Sequence, residues 1–228
     1  MKKLVLCALL LCGLASGVLA AQQGPRIDRP AEPNFVFDDD GGKVQIVPAD
    51  LSVANPKTFH GGPVLTSAHQ VSIFLGAAWG DQQVRSRQTP LLNVTSDTNA
   101  ADVTELRSHN IRFKASQSRF EDFADLSATA VNDLTIQQKL SALLQSKAIP
   151  APAAGTVYVV FLAPGIDSSI GGNKAGVDYA AYHNFVNLDA GEIHYVVVPF
   201  HPDTRQHAAA ATRAFAETAL NPNGRGWF

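Results

Sequence analysis

Thr156-Val157-Tyr158-Val159-Val160-Phe161-Leu162 is an uncharged apolar run, without the alternation of a half-buried strand. It is short enough for a strand and rich in β-branched and aromatic residues, and Pro164-Gly165 turns the chain just beyond it. A strand that is apolar on both faces belongs in the interior of a sheet. Downstream, Ile193 to Phe200 reads as a second buried strand and Arg205 to Leu220 as the last helix. Upstream, Leu134 to Lys147 reads as a helix capped by Asp133, with Ile136, Leu140, Leu143 and Leu144 on one face and Pro150 and Pro152 as its stop. Val71 to Leu75 reads as a strand that follows a His60-Gly61-Gly62-Pro63 turn and ends at Ala77-Ala78-Trp79-Gly80.

Residues 81–125 are rich in Gln, Ser, Thr and Asn, and their weak periodicity defines no element. Asn93-Val94-Thr95 is a glycosylation acceptor pattern in a eukaryotic host and an ordinary loop otherwise. The order strand, irregular region, helix, strand, strand, helix predicts a single mixed domain, α/β or α+β, with a central sheet and flanking helices. The fold is expected to start near Val44, giving a domain of 46–228 behind a flexible segment at 21–45. Within that segment Asp38-Asp39-Asp40-Gly41-Gly42 reads as a solvated turn. It lacks the alternating oxygen ligands and closing carboxylate of a calcium loop.

Residues 1–20 have the form of a secretory signal: Lys2-Lys3, an apolar run from Leu4 to Leu14, and a small-residue site at Val18-Leu19-Ala20. The run is short for a membrane span. Leu11 before Cys12 does not suit a lipoprotein site. Both cysteines, Cys7 and Cys12, fall inside the signal, so the processed chain is expected to carry no disulfide, no thiolate metal site and no cysteine nucleophile. A formal net charge of −2 gives no electrostatic case for nucleic acid. No Gly-x-Ser-x-Gly elbow is present, and Gly171-Gly172-Asn173 lacks the Lys and Ser/Thr of a phosphate cradle.

The last helix has the frame of a metallopeptidase helix. There a His and a second ligand sit at i and i+4, and a Glu at i+1 acts as general base. Here Glu217 holds the second-ligand position, but Arg213 stands at the first and Ala214 at the base. Arg cannot ligate zinc and Ala cannot take a proton. An Arg213–Glu217 ion pair is the expected outcome. The residual candidates for a cleft or a displaced ligand set are His60, His183, His201 and His207; His194 is given no role.

Several landmarks occur in a set order: Phe59-His60-Gly61-Gly62-Pro63-Val64-Leu65, Gly76-Ala77-Ala78-Trp79, the Thr156 to Gly165 strand and turn, Tyr182-His183, Tyr195-Val196-Val197-Val198-Pro199, and Ala216-Glu217, Asn221-Pro222 and Gly226-Trp227. This order resembles the Exordium-like, or phosphate-induced protein, family over roughly residues 51–228. The resemblance implies an extracellular or envelope protein. Its members carry Ser-His-Glu-Leu-Ala-Glu followed by Thr-Asp-Pro or Thr-Asn-Pro, and this chain departs from them at Arg213 and Ala214. The expectation is a secreted or periplasmic, non-catalytic protein without cofactor. It would bind an envelope or cell-wall ligand and have no membrane span after signal cleavage. The alternatives are a zinc peptidase with a displaced ligand set and a purely structural envelope protein.

Export requires the signal to be removed. Mass spectrometry of the exported protein is expected to find an N-terminus at Ala21; full-length protein retained in the cytosol would refute the assignment.

Overall fold

The Thr156–Leu162 run divides its side chains between two cores. Val157, Val159 and Phe161 join one apolar cluster, while Tyr158, Val160 and Leu162 join another on the opposite face. All these side chains are essentially excluded from solvent. Alternation is present after all, but both faces are buried, so it leaves no trace in hydropathy.

The computed structural model describes residues 35–37, 42–52, 57–124, 126 and 130–228. The signal at 1–20, the cleavage point before Ala21 and the acidic turn at 38–41 lie outside the described residues. In chain order the elements begin with β1 (Phe35–Phe37), β2 (Lys43–Pro48) and β3 (Ser67–Leu75). Three short helices follow, α1 (Gln82–Arg85), α2 (Gln88–Leu91) and α3 (Ala101–Ser108), then β4 (Arg112–Lys114) and β5 (Arg119–Asp122). Next come α4 (Asp133–Gln145), β6 (Thr156–Leu162) and the small pair β7 (Ser169–Ile170) and β8 (Asn173–Lys174). The last elements are β9 (Tyr179–Leu188), β10 (Gly191–Val198) and α5 (Thr204–Leu220).

Eight strands form one sheet in the order β1-β2-β9-β10-β6-β3-β4, with β5 paired to β3 beyond β4. The block β10, β6, β3, β4 and β5 is parallel. The strands β9, β2 and β1 each run antiparallel to their inner neighbour. One face packs on α5, with Leu91 of α2 and Leu106 of α3; the other packs on Ile136 and Leu140 of α4. The fold is therefore mixed α/β, as the element order predicts. Among the described residues no helix is long and apolar enough to cross a membrane.

The structure amends the sequence reading in four places. Residues 81–125 hold α1, α2, α3, β4 and β5, all too short to generate a periodic signal. The strand β9, ten residues long, is missed because its second half is only partly buried and interrupts Phe185, Val186 and Leu188 with Asn184 and Asn187. The sheet begins at Phe35, inside the segment expected to be flexible, since β1 pairs with Lys43–Gln45. Asn132, not Asp133, caps α4: its side chain accepts from Thr135 N at 3.0 Å. The Asn93-Val94-Thr95 pattern is a local turn in which the Thr95 hydroxyl donates to Asn93 Oδ1 at 3.0 Å.

Freed from capping, Asp133 is buried against the sheet. The Tyr195 hydroxyl donates to it at 2.8 Å, Gln137 Nε2 at 2.8 Å and Asn184 Nδ2 at 2.9 Å. Burial raises its pKa, and these hydrogen bonds pull in the opposite direction. The carboxylate ties the first turn of α4 to β9 and β10. Asp133→Ala would leave the buried Tyr195 hydroxyl and the half-buried Asn184 amide without this acceptor, so a loss of about 2–4 kcal/mol is expected in urea denaturation. A variant as stable as the parent would show that water replaces the carboxylate.

Candidate functional site

Helix α5 starts at Asp203, whose side chain accepts from Arg205 N at 2.7 Å and Gln206 N at 3.2 Å. It ends at Leu220, where the Asn221 N–H still bonds to Glu217 O and Pro222 cannot continue the helix. Its many alanines let the backbone approach the sheet closely. From Ala214 to Leu220 every residue is buried, so this half is enclosed almost all round.

That enclosure decides the fate of the metallopeptidase frame. Ala214, at the general-base position, is fully buried within the core cluster under the sheet. Glu217 is 1% exposed. Arg213 lies at the rim. Its Nη2 donates to Leu51 O at 2.7 Å, and its Nε is 3.7 Å from Asp102 Oδ1 on α3. The ion-pair partner shown for Arg213 is thus Asp102, across to another helix, where the sequence suggested Glu217. Burial raises the Asp102 pKa, while Arg213 and then Lys57 lower it. Lys57 reaches Glu105 on α3 at 2.6 Å. The connection between β2 and β3 is therefore tied to α5 through Leu51 and to α3 through Lys57. A fixed cation and a packed methyl do not fit a zinc site. Among the described residues no three His, Cys, Asp or Glu side chains converge as metal ligands.

The histidines are dispersed. His60 stacks on the Phe228 ring at 3.9 Å between centroids, and its N–H donates to Gly226 O at 2.9 Å. It belongs to a junction where Phe59 bridges Trp227 and Thr58 exchanges both backbone bonds with Phe228. Gly62 is required there, because a Cβ would lie 2.0 Å from Arg225 O. The Gly-Gly-Pro turn and the Gly-Trp terminus, separate landmarks in sequence, form one packed unit. His194 donates from Nδ1 to Pro222 O at 3.2 Å and lies 3.2 Å from Glu192, so it anchors the chain after α5.

Three further histidines line cavities at opposite ends of α5. At its start, His201 and His207 line a 130 Å³ pocket with Phe200, Leu51, Ala180 and Ala210. His207 is wedged edge-on against Phe161 and Phe200, and its Nε2 is buried without a hydrogen-bond partner. His201 Nδ1 is occupied by the Asp203 N–H at 3.0 Å. At the other end, His183 lines a 270 Å³ cavity with Gln45, Asn223, Lys43, Arg225 and Phe185. His183 stands opposite Gln45 in the β2–β9 register. Of these residues only His183 stood out in the sequence. The others surround the cavity through strand pairing and the final turn, which no local motif encodes.

Comparison with protein-family models, with curated proteins and with solved structures finds no match to this chain.

Burial holds both His183 and His207 at a pKa of about 3, against an ordinary 6.5. Above pH 6.5 both rings are neutral in the folded and unfolded chain, and stability is full. As pH falls from 6.5 towards 3 the unfolded chain binds protons that the folded chain refuses. Each ring then removes about 1.4 kcal/mol per pH unit. Denaturation at pH 7.5, 5.5 and 4.5 is expected to show this loss, and His207→Leu should reduce its slope by about one proton. An unchanged slope in the variant would contradict the assignment.

Proposed function

We propose that this chain is an exported, non-catalytic binding protein of the Exordium-like type, acting at the cell envelope or outside the cell. The observation that carries the reading is the state of the frame on α5. The first-ligand position is held by a cation bonded to Leu51 and paired with Asp102, and the base position is a methyl packed against the sheet. Recovering a hydrolytic water would need a ligand and a base at these positions. Replacing Ala214 by Glu would place a carboxylate in the core, so the chemistry cannot be restored by side-chain exchange alone. The landmarks shared with the Exordium-like family support the assignment from a second direction. They come together as the Phe59–Trp227 junction, the parallel strands and the terminal helix.

Metal content separates this reading from a zinc peptidase. The purified processed protein is expected to carry no stoichiometric zinc and to show no peptidase activity sensitive to chelators. Tight zinc with an activity lost on chelation would overturn the reading, and His183, His201 and His207 would be the first ligands to substitute. Retention on cell-wall glycans or envelope proteins distinguishes binding from a purely structural role.

A further inference from the structure

The cavity at the end of α5 carries more polar information than its surroundings require. Its floor holds three side-chain atoms that are buried and have no hydrogen-bond partner: Gln45 Nε2, His183 Nε2 and Asn223 Oδ1. Gln45 is 2% exposed and His183 3%. Buried polar atoms are rarely left unpaired, because each costs on the order of 1–3 kcal/mol. Three belong to residues that line one cavity, so bonding capacity is left there that water or a bound molecule can complete.

The orientation of Gln45 follows from a chain of obligatory donors. The Gly226 backbone N–H can only donate, and it does so to Asn221 Oδ1 at 2.6 Å. The opposite end of that amide, Asn221 Nδ2, donates to Gln45 Oε1 at 2.7 Å. The Gln45 NH₂ is thereby fixed as a donor on a residue that lines the cavity, and nothing in the protein accepts from it. Asn221 is fully buried and fixed at the end of α5, so this donor is preorganised. His183 is neutral and offers either a proton or a lone pair at Nε2. Asn223 Oδ1 offers an acceptor.

The rest of the cavity supplies two further constraints. Lys43 and Arg225 stand exposed at its mouth, and none of the lining residues is acidic. Lys43 Nζ is held 3.8 Å over the Phe35 ring, which itself packs edge-on against Phe228. Phe35 and Phe185 give the wall apolar surface. A volume of 270 Å³ lies just below the ~300–1,000 Å³ of drug-sized sites, so the occupant is small.

We infer that this cavity binds an acidic sugar: a single ring whose hydroxyls meet Gln45, His183 and Asn223, whose carboxylate meets Lys43 and Arg225, and whose C–H face lies on Phe185. A mixture of donors and an acceptor suits hydroxyls, which serve as both. Two cations and no acidic residue in the lining suit a carboxylate, and an arginine can hold it with two parallel bonds. The inference rests on the binding reading above and names its ligand class.

The test is calorimetric titration of the purified protein with D-glucuronate, D-glucose, acetate and inorganic phosphate. Glucuronate is expected to bind at least ~10-fold more tightly than each of the other three, one tenfold being the effect of a single modest charge-assisted bond. The exposed double variant Lys43→Gln/Arg225→Gln is expected to fold normally and to lose at least ~10-fold for glucuronate. Gln45→Leu should weaken glucuronate as well, with thermal melting to confirm that it is folded. Glucuronate binding no better than glucose, phosphate binding as well as glucuronate, or the double variant matching the parent would each overturn the inference. A uronic-acid trisaccharide binding more tightly than the monomer identifies a polymer end as the source, and equal binding identifies the free sugar; both support the acidic-sugar assignment. Retention on envelope glycans without any glucuronate binding would remove this inference and leave the binding reading intact. A zinc-dependent activity alongside glucuronate binding would do the reverse.

Discussion

The parallel pairing of β3, β6 and β10 is the constraint from which the remaining architecture follows. Backbone bonds run through registered pairs from His69–Thr156 to Leu75–Leu162 and from His194–Val157 to Val198–Phe161. Strands this apolar cannot leave either face in water, so each needs a helical layer. The chain between the strands and after the last one supplies these layers: α3 and α5 on one side, α4 on the other. Parallel neighbours also require long crossovers. The part of the poorly periodic stretch that leads from β3 to β4 is such a crossover, and its small helices cover the sheet without each needing to be stable alone.

Helix α5 is held by contacts at the positions that the sequence offers for metallopeptidase chemistry. Arg213 holds the chain after β2 down through the Leu51 carbonyl and meets Asp102. Ala214 allows the helix to sit close to the sheet. A partly buried guanidinium with a carbonyl and a carboxylate beside it is well satisfied. Removing it would release the connection as well as the charge.

Both ends of α5 are more open than its middle, and the two openings differ in kind. The first is small, with His207 held neutral between aromatic rings. The second exposes mostly apolar surface, with two cations in its lining and an amide chain fixing Gln45 as a donor. Strand β2 helps to build both: Gln45 lines the second cavity, and Leu51, just past the strand, lines the first. Pairing of β2 along β9 therefore does more than extend the sheet, since it closes the edge of β9 and furnishes one wall for each cavity.

The sequence alone determined the elements with strong periodicity or uninterrupted apolarity: β6, β10, α4, α5 and the core of β3. It also determined that α5 cannot offer a metallopeptidase's ligand and base, because Arg213 and Ala214 lack the chemistry whatever the fold. Tertiary structure decided what depends on residues far apart in the chain. Asp102 on α3 is one partner of Arg213, and no local pattern in the sequence selects it. The Asp133 carboxylate reads as a cap because Asp and Asn cap equally well and the choice between neighbours is made by backbone geometry; its role as the acceptor for Tyr195 and Asn184 exists only once β9 and β10 lie beside α4. The cavity of Gln45, His183 and Asn223 is likewise made by strand register and a final turn. Hydrogen-bond direction in it passes from Gly226 through Asn221 to Gln45, a path that is continuous in space and scattered in sequence.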